Sequence, residues 1–274
     1  MAKTPPTRPA ATAQPRIRRG YFECRYGQLH VHNAIPSGGG FEEGTPLVCL
    51  HPSPHSGRIF ERFLALAGGD RSIFAPDLPG FGDSDPPPPR AGVAEHAAAI
   101  GDFVDAMRLR QIDILGHRFG ALVAAELAAM RPSQVRRMVL VSPPVAVDSM
   151  EPQPLTAPAA DGSHLLEEWR RAMAYGGPNA PPGIATAALA DRLRNANQAA
   201  AAAAAERTYA LRARLAPLTT PILVLRLREE VVANKGQARD LPARARLVEL
   251  PEQGASLFET APEIAAQALE AFLR

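Results

Sequence analysis

The sequence predicts an α/β fold: a mostly parallel, doubly wound sheet with a helical cap inserted after the sixth core strand. Three observations predict it. Short apolar runs of strand length alternate with helix-length amphipathic runs along most of the chain. The alternation is interrupted once, between about Val145 and Thr219, by a Pro-rich loop followed by helical patterns alone. It then resumes as strand–helix pairs to the end of the sequence, the order that a parallel sheet covered on both faces requires.

The elements follow in order. "YFECRY" and "QLHVHNAI" flank Gly27 and read as an antiparallel hairpin, after which "PLVCL" is a short buried strand ending at His51. "RIFERFLALA" is a helix, "SIFAPD" a strand, "GVAEHAAAIGDFVDAM" a helix, "QIDILG" a strand, "ALVAAELAAM" a helix and "VRRMVLVS" a strand. Within the insertion, "SHLLEEWRRAMAY" places Leu165, Leu166, Trp169, Ala172 and Met173 on one helical face, read as packing between cap and body. "IATAALADRLRNAN" and "AAAAAAAERTYALRARL" add two helices, and the run Ala199–Ala205 is a helix former of low information. The strand "PILVLRL", a short helix near "KGQARDL", the strand "ARLVEL" and the helix "PEIAAQALEAFL" complete the chain. The expected organisation is a disordered tail over 1–19, a core over 20–144 and 220–274, and a cap over 145–219.

Composition narrows the function classes. The chain has 274 residues, 46% hydrophobic and 21% charged, with net charge +2, enough to bury one large core. Arginine is spread along it and concentrated only at Arg16, Arg18 and Arg19, so no nucleic-acid partner is expected. No apolar run approaches the roughly 20 residues of a membrane helix. The first eighteen residues lack the apolar centre of a secretory signal. Cys24 and Cys49 read as reduced core residues, and the expected location is cytoplasmic. No Cys or His pair has metal-ligand spacing, and His30 and His32, one strand face of "HVH", read as solvated; neither metal nor cofactor is expected.

Several ordered motifs carry a resemblance. "LHPSP", Leu50 to Pro54, "DLPGFGDSD", Asp77 to Asp85, "GHRFGA", Gly116 to Ala121, and the C-terminal "VELPEQGASLFETAPEIAAQALEAFL" resemble, in that order, four signatures of the α/β-hydrolase fold. The resemblance runs from the hairpin to the C-terminus. It implies an oxyanion-hole loop at "HPSP", a nucleophile elbow at "GHRFG", and a catalytic histidine after Gly254. It also implies an acid in "LVLRLREEVV", which falls on Glu230.

The sequence departs from that pattern at both essential partners. The elbow holds Arg118, whose guanidinium is effectively always protonated and cannot attack an acyl carbon. The histidine position is Ala255, and all seven histidines, His30, His32, His51, His55, His96, His117 and His164, precede the end of the cap. A Ser-His-acid relay cannot form from the usual loops.

Arg118 has two readings. Paired with Glu230 across the space the histidine vacated, it replaces the triad with an ion pair and leaves an inert pocket. Turned to the pocket, beside the backbone N–H groups of Ser53 and Phe119, it becomes a clamp for a carboxylate or enolate. His55, on the loop at the pocket mouth, is the candidate for proton transfer. His51 and His117 read first as supports. Ser53 and Ser56 have no evident base, and Asp77 and Asp83 are expected to organise their Gly-rich loop.

Three classes of function stay open. The first is a non-hydrolytic enzyme of lyase, isomerase or cyclase type acting on an apolar carboxylate or carbonyl compound. The second is a ligand-binding protein that has lost its chemistry, and the third a hydrolase using displaced residues. In the first two the partner is a small, anionic molecule.

Overall fold

An antiparallel hairpin opens the chain and leads into a single eight-stranded sheet. The computed structural model describes residues 15–36, 44–144, 156–178, 180–233 and 241–274. Strands β1 (Arg16–Cys24) and β2 (Gly27–Ile35) pair antiparallel around Gly27, whose φ of 116° lies where only glycine is unstrained. Next come β3 (Gly44–Leu50), β4 (Arg71–Pro76), β5 (Ile112–His117), β6 (Val135–Val141), β7 (Ile222–Leu227) and β8 (Arg246–Leu250). The sheet order is β1-β2-β4-β3-β5-β6-β7-β8; β2 meets β4 antiparallel, and every pairing from β4 to β8 is parallel. This is the mostly parallel sheet that the alternation of strand and helix predicts.

Helices cover both faces because the central strands are apolar on both. On one face lie α1 (Glu61–Ala67), α9 (Leu257–Thr260) and α10 (Pro262–Leu273), sealing Phe60, Phe63, Leu115, Val141, Leu225 and Phe258. On the other lie α2 (Val93–Ala106) and α3 (Phe119–Met130), the latter apolar almost all round and correspondingly buried. No helix among the described residues is long and apolar enough to cross a membrane.

Between β6 and β7 the cap contributes α4 (Ser163–Gly176), α5 (Pro182–Arg194) and α6 (Ala196–Thr208). The end of α6 and the following α7 (Leu211–Leu215) pack on the body, with Ala202, Leu211 and Leu215 in the main core. The stripe on α4 packs differently from expectation. Trp169 and Met173 close on Ala172, Ala185 and Ala188 inside the cap, and Leu165 and Leu166 are exposed. The fully buried side chain that organises α4 is Glu168, which accepts from Thr156 N and Oγ1 (both 2.9 Å), Arg171 Nη1 (2.9 Å) and Arg192 Nε (2.7 Å). Hydropathy patterning misses such an element, since a charge satisfied on all sides is counted as surface.

Two other expectations are corrected. Arg16 to Arg19 belong to β1, not to a tail, because each pairs with a residue of β2; residues 1–14 lie outside the described part. The helix expected near 235–241 lies largely outside the described residues, and the stretch laid out as strand and turn for the acid forms α8 (Arg228–Ala233).

The C-terminus is tied to the sheet by one buried carboxylate. Asp113, fully buried on β5, accepts from Arg136 Nε (2.9 Å) and Nη2 (2.6 Å) and from Arg71 Nη1 (3.3 Å), and both arginines also donate to the Leu273 carbonyl. Removing it strands two guanidinium groups. Asp113→Ala is therefore expected to lower stability by about 3 to 5 kcal/mol in urea denaturation, with α10 losing amide-exchange protection first; a loss within about 0.5 kcal/mol would contradict the tie.

Candidate active site at the β5–α3 elbow

The site is built from the turn where β5 becomes α3. Arg118 has φ 50° and ψ −111°, a strained conformation for a residue with a Cβ, and it is held by Arg118 N–H to Val141 O and Ala121 N–H to Arg118 O, both 2.9 Å. The glycines on either side are required by contact. A Cβ on Gly116 would run into the Gly120 carbonyl, and one on Gly120 into the Leu50 carbonyl of β3. The turn so tightened leaves Arg118 partly exposed between fully buried His117 and Phe119, at the N-terminus of a 12-residue helix. A cation placed there adds to the partial positive charge of the helix end, and the combination attracts anions.

The "HPSP" loop lies alongside. His51 does not offer itself to a ligand: its Nδ1 faces Pro52 O at 3.0 Å and its Nε2 accepts from Leu78 N–H at 2.8 Å, so the ring spends both nitrogens on backbone. This makes His51 the brace between the loop after β3 and the loop after β4. Ser53 sits in the turn closed by His55 N–H to Pro52 O (2.9 Å). His55 is buried, stacked on Tyr175 of α4 with centroids 4.0 Å apart, and its Nδ1 has no hydrogen-bond partner. Burial, followed by the charges of neighbouring His51 and Arg58, holds its pKa well below the usual imidazole value. His117 is fully buried with neither ring nitrogen hydrogen-bonded, 6.2 Å from the Phe258 ring. Burial first and the Arg118 charge second hold it to about 3. Both rings are neutral at physiological pH.

The cap supplies groups that sequence reasoning missed. Glu206, half-buried on α6, is pushed up to about 7 by burial, against the pull of Arg118 and Arg207. Its carboxyl is thus poised between charge states within reach of the elbow cation's field. The signal was faint: one acid at the end of an alanine run. A second group joins cap to body. Tyr175 donates to Glu259 Oε2 of α9 (2.7 Å), Arg58 reaches both Glu259 (3.5 Å) and Asp191 of α5 (3.1 Å), and Ser56 Oγ donates to Asp191 (3.2 Å). Burial raises the Glu259 carboxyl, and burial with the adjacent Glu259 raises the Tyr175 phenol well above its ordinary value. Asn195 completes the seam, donating to Pro54 O (2.8 Å) and accepting from Gly82 N–H (3.1 Å).

Ala255 lies in the turn between β8 and α9, four residues before Glu259. Glu230 falls on α8, and its side chain, with any pairing to Arg118, lies outside the described residues.

Asp77 organises the Gly-rich loop as expected, accepting from Gly57 N–H (2.6 Å) and Asp83 N–H (2.9 Å). Burial would raise its pKa, but the hydrogen bond from His30 and nearby charge outweigh it and hold the carboxyl low. Asp83 instead pairs with Arg194 of the cap. His30 and His32 are buried, not solvated, because the loop after β4 and the start of α1 cover that face of β2.

The sequence pattern of the alpha/beta hydrolase fold matches residues 45–220, well over half of the chain. The chain belongs to the alpha/beta hydrolase fold family. Among curated relatives of this alpha/beta hydrolase, Lipase LipV of Mycobacterium tuberculosis is 36% identical over 120 residues, 44% of this chain and 43% of the lipase. A 2-hydroxymuconate semialdehyde hydrolase of Pseudomonas sp. is 32% identical over 116 residues, 40% of this chain and 38% of that enzyme. Epoxide hydrolase 2 of Siraitia grosvenorii is 41% identical over 106 residues, 36% and 32% of the two chains. The chain thus spans less than half the length of each of these relatives. Among solved structures, Cfl2 of Burkholderia cenocepacia superposes with TM-score 0.74 at 21% identity, over 97% of this chain and 98% of that one. The N-acyl homoserine lactonase AidH complexed with N-butanoyl homoserine gives 0.72 at 21% identity, over 94% and 97%. At such identities the likeness is one of fold.

The proximity of Glu206 to the elbow cation can be read by titration. Arg118→Ala should raise the Glu206 pKa above about 7, followed by carboxyl carbon NMR. Because the folded value lies above the ordinary 4.5, the native state loses stability as pH rises from about 4.5 through 7. Glu206→Gln should therefore be more stable than the parent at pH 8 and no more stable at pH 4. An unmoved Glu206 in Arg118→Ala would place the two groups apart.

Proposed function

We propose that this alpha/beta hydrolase-fold protein binds an apolar compound carrying a carboxylate or carbonyl under its cap and acts on it without hydrolysis, as a lyase, isomerase or cyclase does. The observation that carries the reading is Arg118 at the head of α3, whose charge acts on a cap carboxyl pushed up to about 7 by burial. Arg118, with the N–H groups of Phe119 and Ser53, stabilises developing negative charge on the ligand oxygen. Glu206 takes or returns a proton at the adjacent carbon, since a group titrating near the working pH serves in both directions. His55, held neutral by burial and stacked on Tyr175 of the cap, with Nδ1 not hydrogen-bonded, is a second candidate proton carrier. The resident chemistry needs only these side chains. A cytoplasmic setting is consistent with free Cys24 and Cys49.

Hydrolysis by displaced residues has less support. Ser56 Oγ donates to a carboxylate, Asp191, and both nitrogens of His51 are engaged by backbone. The names of the relatives describe those proteins; one of them, the 2-hydroxymuconate semialdehyde hydrolase, is named for an acid that also carries a carbonyl, the ligand class inferred for this chain.

Serine-directed fluorophosphonates should leave the protein unlabelled, and Arg118→Ser should not hydrolyse p-nitrophenyl esters, since Ala255 leaves the new hydroxyl without a base. Stoichiometric labelling would restore the hydrolase reading. In thermal-shift titrations an apolar acid should bind about ten- to a hundredfold more tightly than its neutral amide, the worth of one charge-assisted contact. Arg118→Lys should keep only part of that preference. Equal shifts for acid and amide would count against the anion clamp.

A further inference from the structure

The buried histidines of β2 have a geometry that neither the fold nor the elbow chemistry uses. His30 and His32 project from one face of the strand with their rings edge to face, centroids 4.7 Å apart. Asp77 stands against both: His30 Nδ1 is 2.9 Å from Asp77 Oδ2, and His32 Nε2 is 3.9 Å from Asp77 Oδ1. One donor atom from each of the three residues lies within 4.8 Å of the others, and all three residues are buried. Ligand atoms about 2.1 Å from a tetrahedral cation sit ~3.4 Å apart, so small side-chain rotations would bring the three donor atoms, now within 4.8 Å of one another, onto one cation.

The surroundings are arranged as those of a metal ligand set. Asp77 is fixed by Gly57 N–H and Asp83 N–H before any cation arrives. His32 points its Nε2 at Asp77 and its Nδ1 at Glu61 Oε1 of α1, 3.1 Å away, a contact that holds the Glu61 carboxyl below its ordinary value. A small rotation of the ring would turn this contact into the carboxylate–histidine–metal relay that holds a ligating imidazole in one tautomer. The Glu61 side chain is half-exposed and marks a route from solvent.

We propose that His30, His32 and Asp77 form a binding site for a borderline divalent cation, zinc foremost, with Glu61 as the positioning residue for His32. Two imidazoles and one carboxylate suit zinc and exclude calcium and magnesium, which take oxygen ligands. Neutral His30 ligates through Nδ1, its proton passing to Nε2 by tautomer exchange, and the hydrogen bond to Asp77 is replaced by two bonds to the metal. Three protein ligands leave one coordination position for water. The cation ties the antiparallel hairpin to the loop after β4, and so holds the loop that His51 braces from the other side.

The test uses the full chain, stripped with chelator and titrated with Zn2+ by calorimetry, with Co2+ as a spectroscopic probe. The expected result is one Zn2+ per chain, visible absorption bands of tetrahedral Co2+, and a rise in melting temperature. His32→Gln should weaken binding by at least about a hundredfold, and Glu61→Gln by about ten- to a hundredfold. His164→Ala, in the cap, and Arg118→Lys, at the elbow, should leave the affinity unchanged, which separates this site from the elbow chemistry. Should His32→Gln fail to fold by circular dichroism, Glu61→Gln at its half-exposed position decides alone. Absence of saturable binding in the full chain, or unchanged affinity in Glu61→Gln, would overturn the proposal.

Discussion

The contact of Gly116 with Gly120, and of Gly120 with the Leu50 carbonyl of β3, is the constraint on which the site depends. No Cβ fits in either place, so the strand must turn sharply and the residue between must take a φ of 50°. That geometry would be strained for any L-residue, and it is maintained here although the residue is arginine. The surrounding core over-determines it: α3 is buried along nearly its whole length, and β5 is sealed on both faces. A fold that no longer carries serine at the elbow still invests in presenting one side chain there. The side chain presented is a permanent cation at a helix N-terminus, and the anionic ligand proposed for this protein rests on that charge.

The cap then sets the electrostatics of the space above. Its seam with the body is polar, built from Tyr175, Glu259, Arg58, Asp191 and Asn195: Tyr175, Asp191 and Asn195 of the cap meet Glu259, Arg58 and the Pro54 carbonyl of the core, and Arg58 and Glu259 also pair within the core. The groups facing inward are uncharged or easily discharged: neutral His55 and His117, and Glu206 near its midpoint at pH 7. Arg118 is thus a fixed charge among groups whose charge adjusts to it, as the pull of its guanidinium on Glu206 and His117 shows. Glu168, deep inside the cap with two arginines, shows that the cap is held by ionic contacts where its alanine-rich helices have few large apolar side chains to bury.

Much of this was legible in the sequence. The alternation of apolar runs placed the strands and the cap, and "GHRFG" placed the elbow, because glycines required by contact leave a trace whatever stands between them. The side chains joining cap to body left none. Glu206, Tyr175 and Glu259 come from helices far apart in the chain, and only folding brings them to the elbow or to the seam below it. His30 and His32 misled in the opposite sense: an alternating "HVH" on a hairpin suggests a wet face, but the start of α1 and the loop after β4 cover it. The apolar stripe of α4 failed for a related reason, since Leu165 and Leu166 are exposed and the burial goes to a carboxylate. Charge that is satisfied by partners distant in sequence is invisible to periodicity.

The central claim is that Arg118 receives the anionic end of a ligand in the space between elbow and cap. A crystal soaked with a bromine-substituted aromatic carboxylate tests it directly, since anomalous scattering fixes the orientation of the ligand. The predicted result is a carboxylate on the Arg118 guanidinium, near the Phe119 and Ser53 amides, with the bromine beneath α6 and Glu206 within reach of the ligand's α-carbon. A carboxylate bound elsewhere, or a ligand lying with its apolar end on Arg118, would contradict the account.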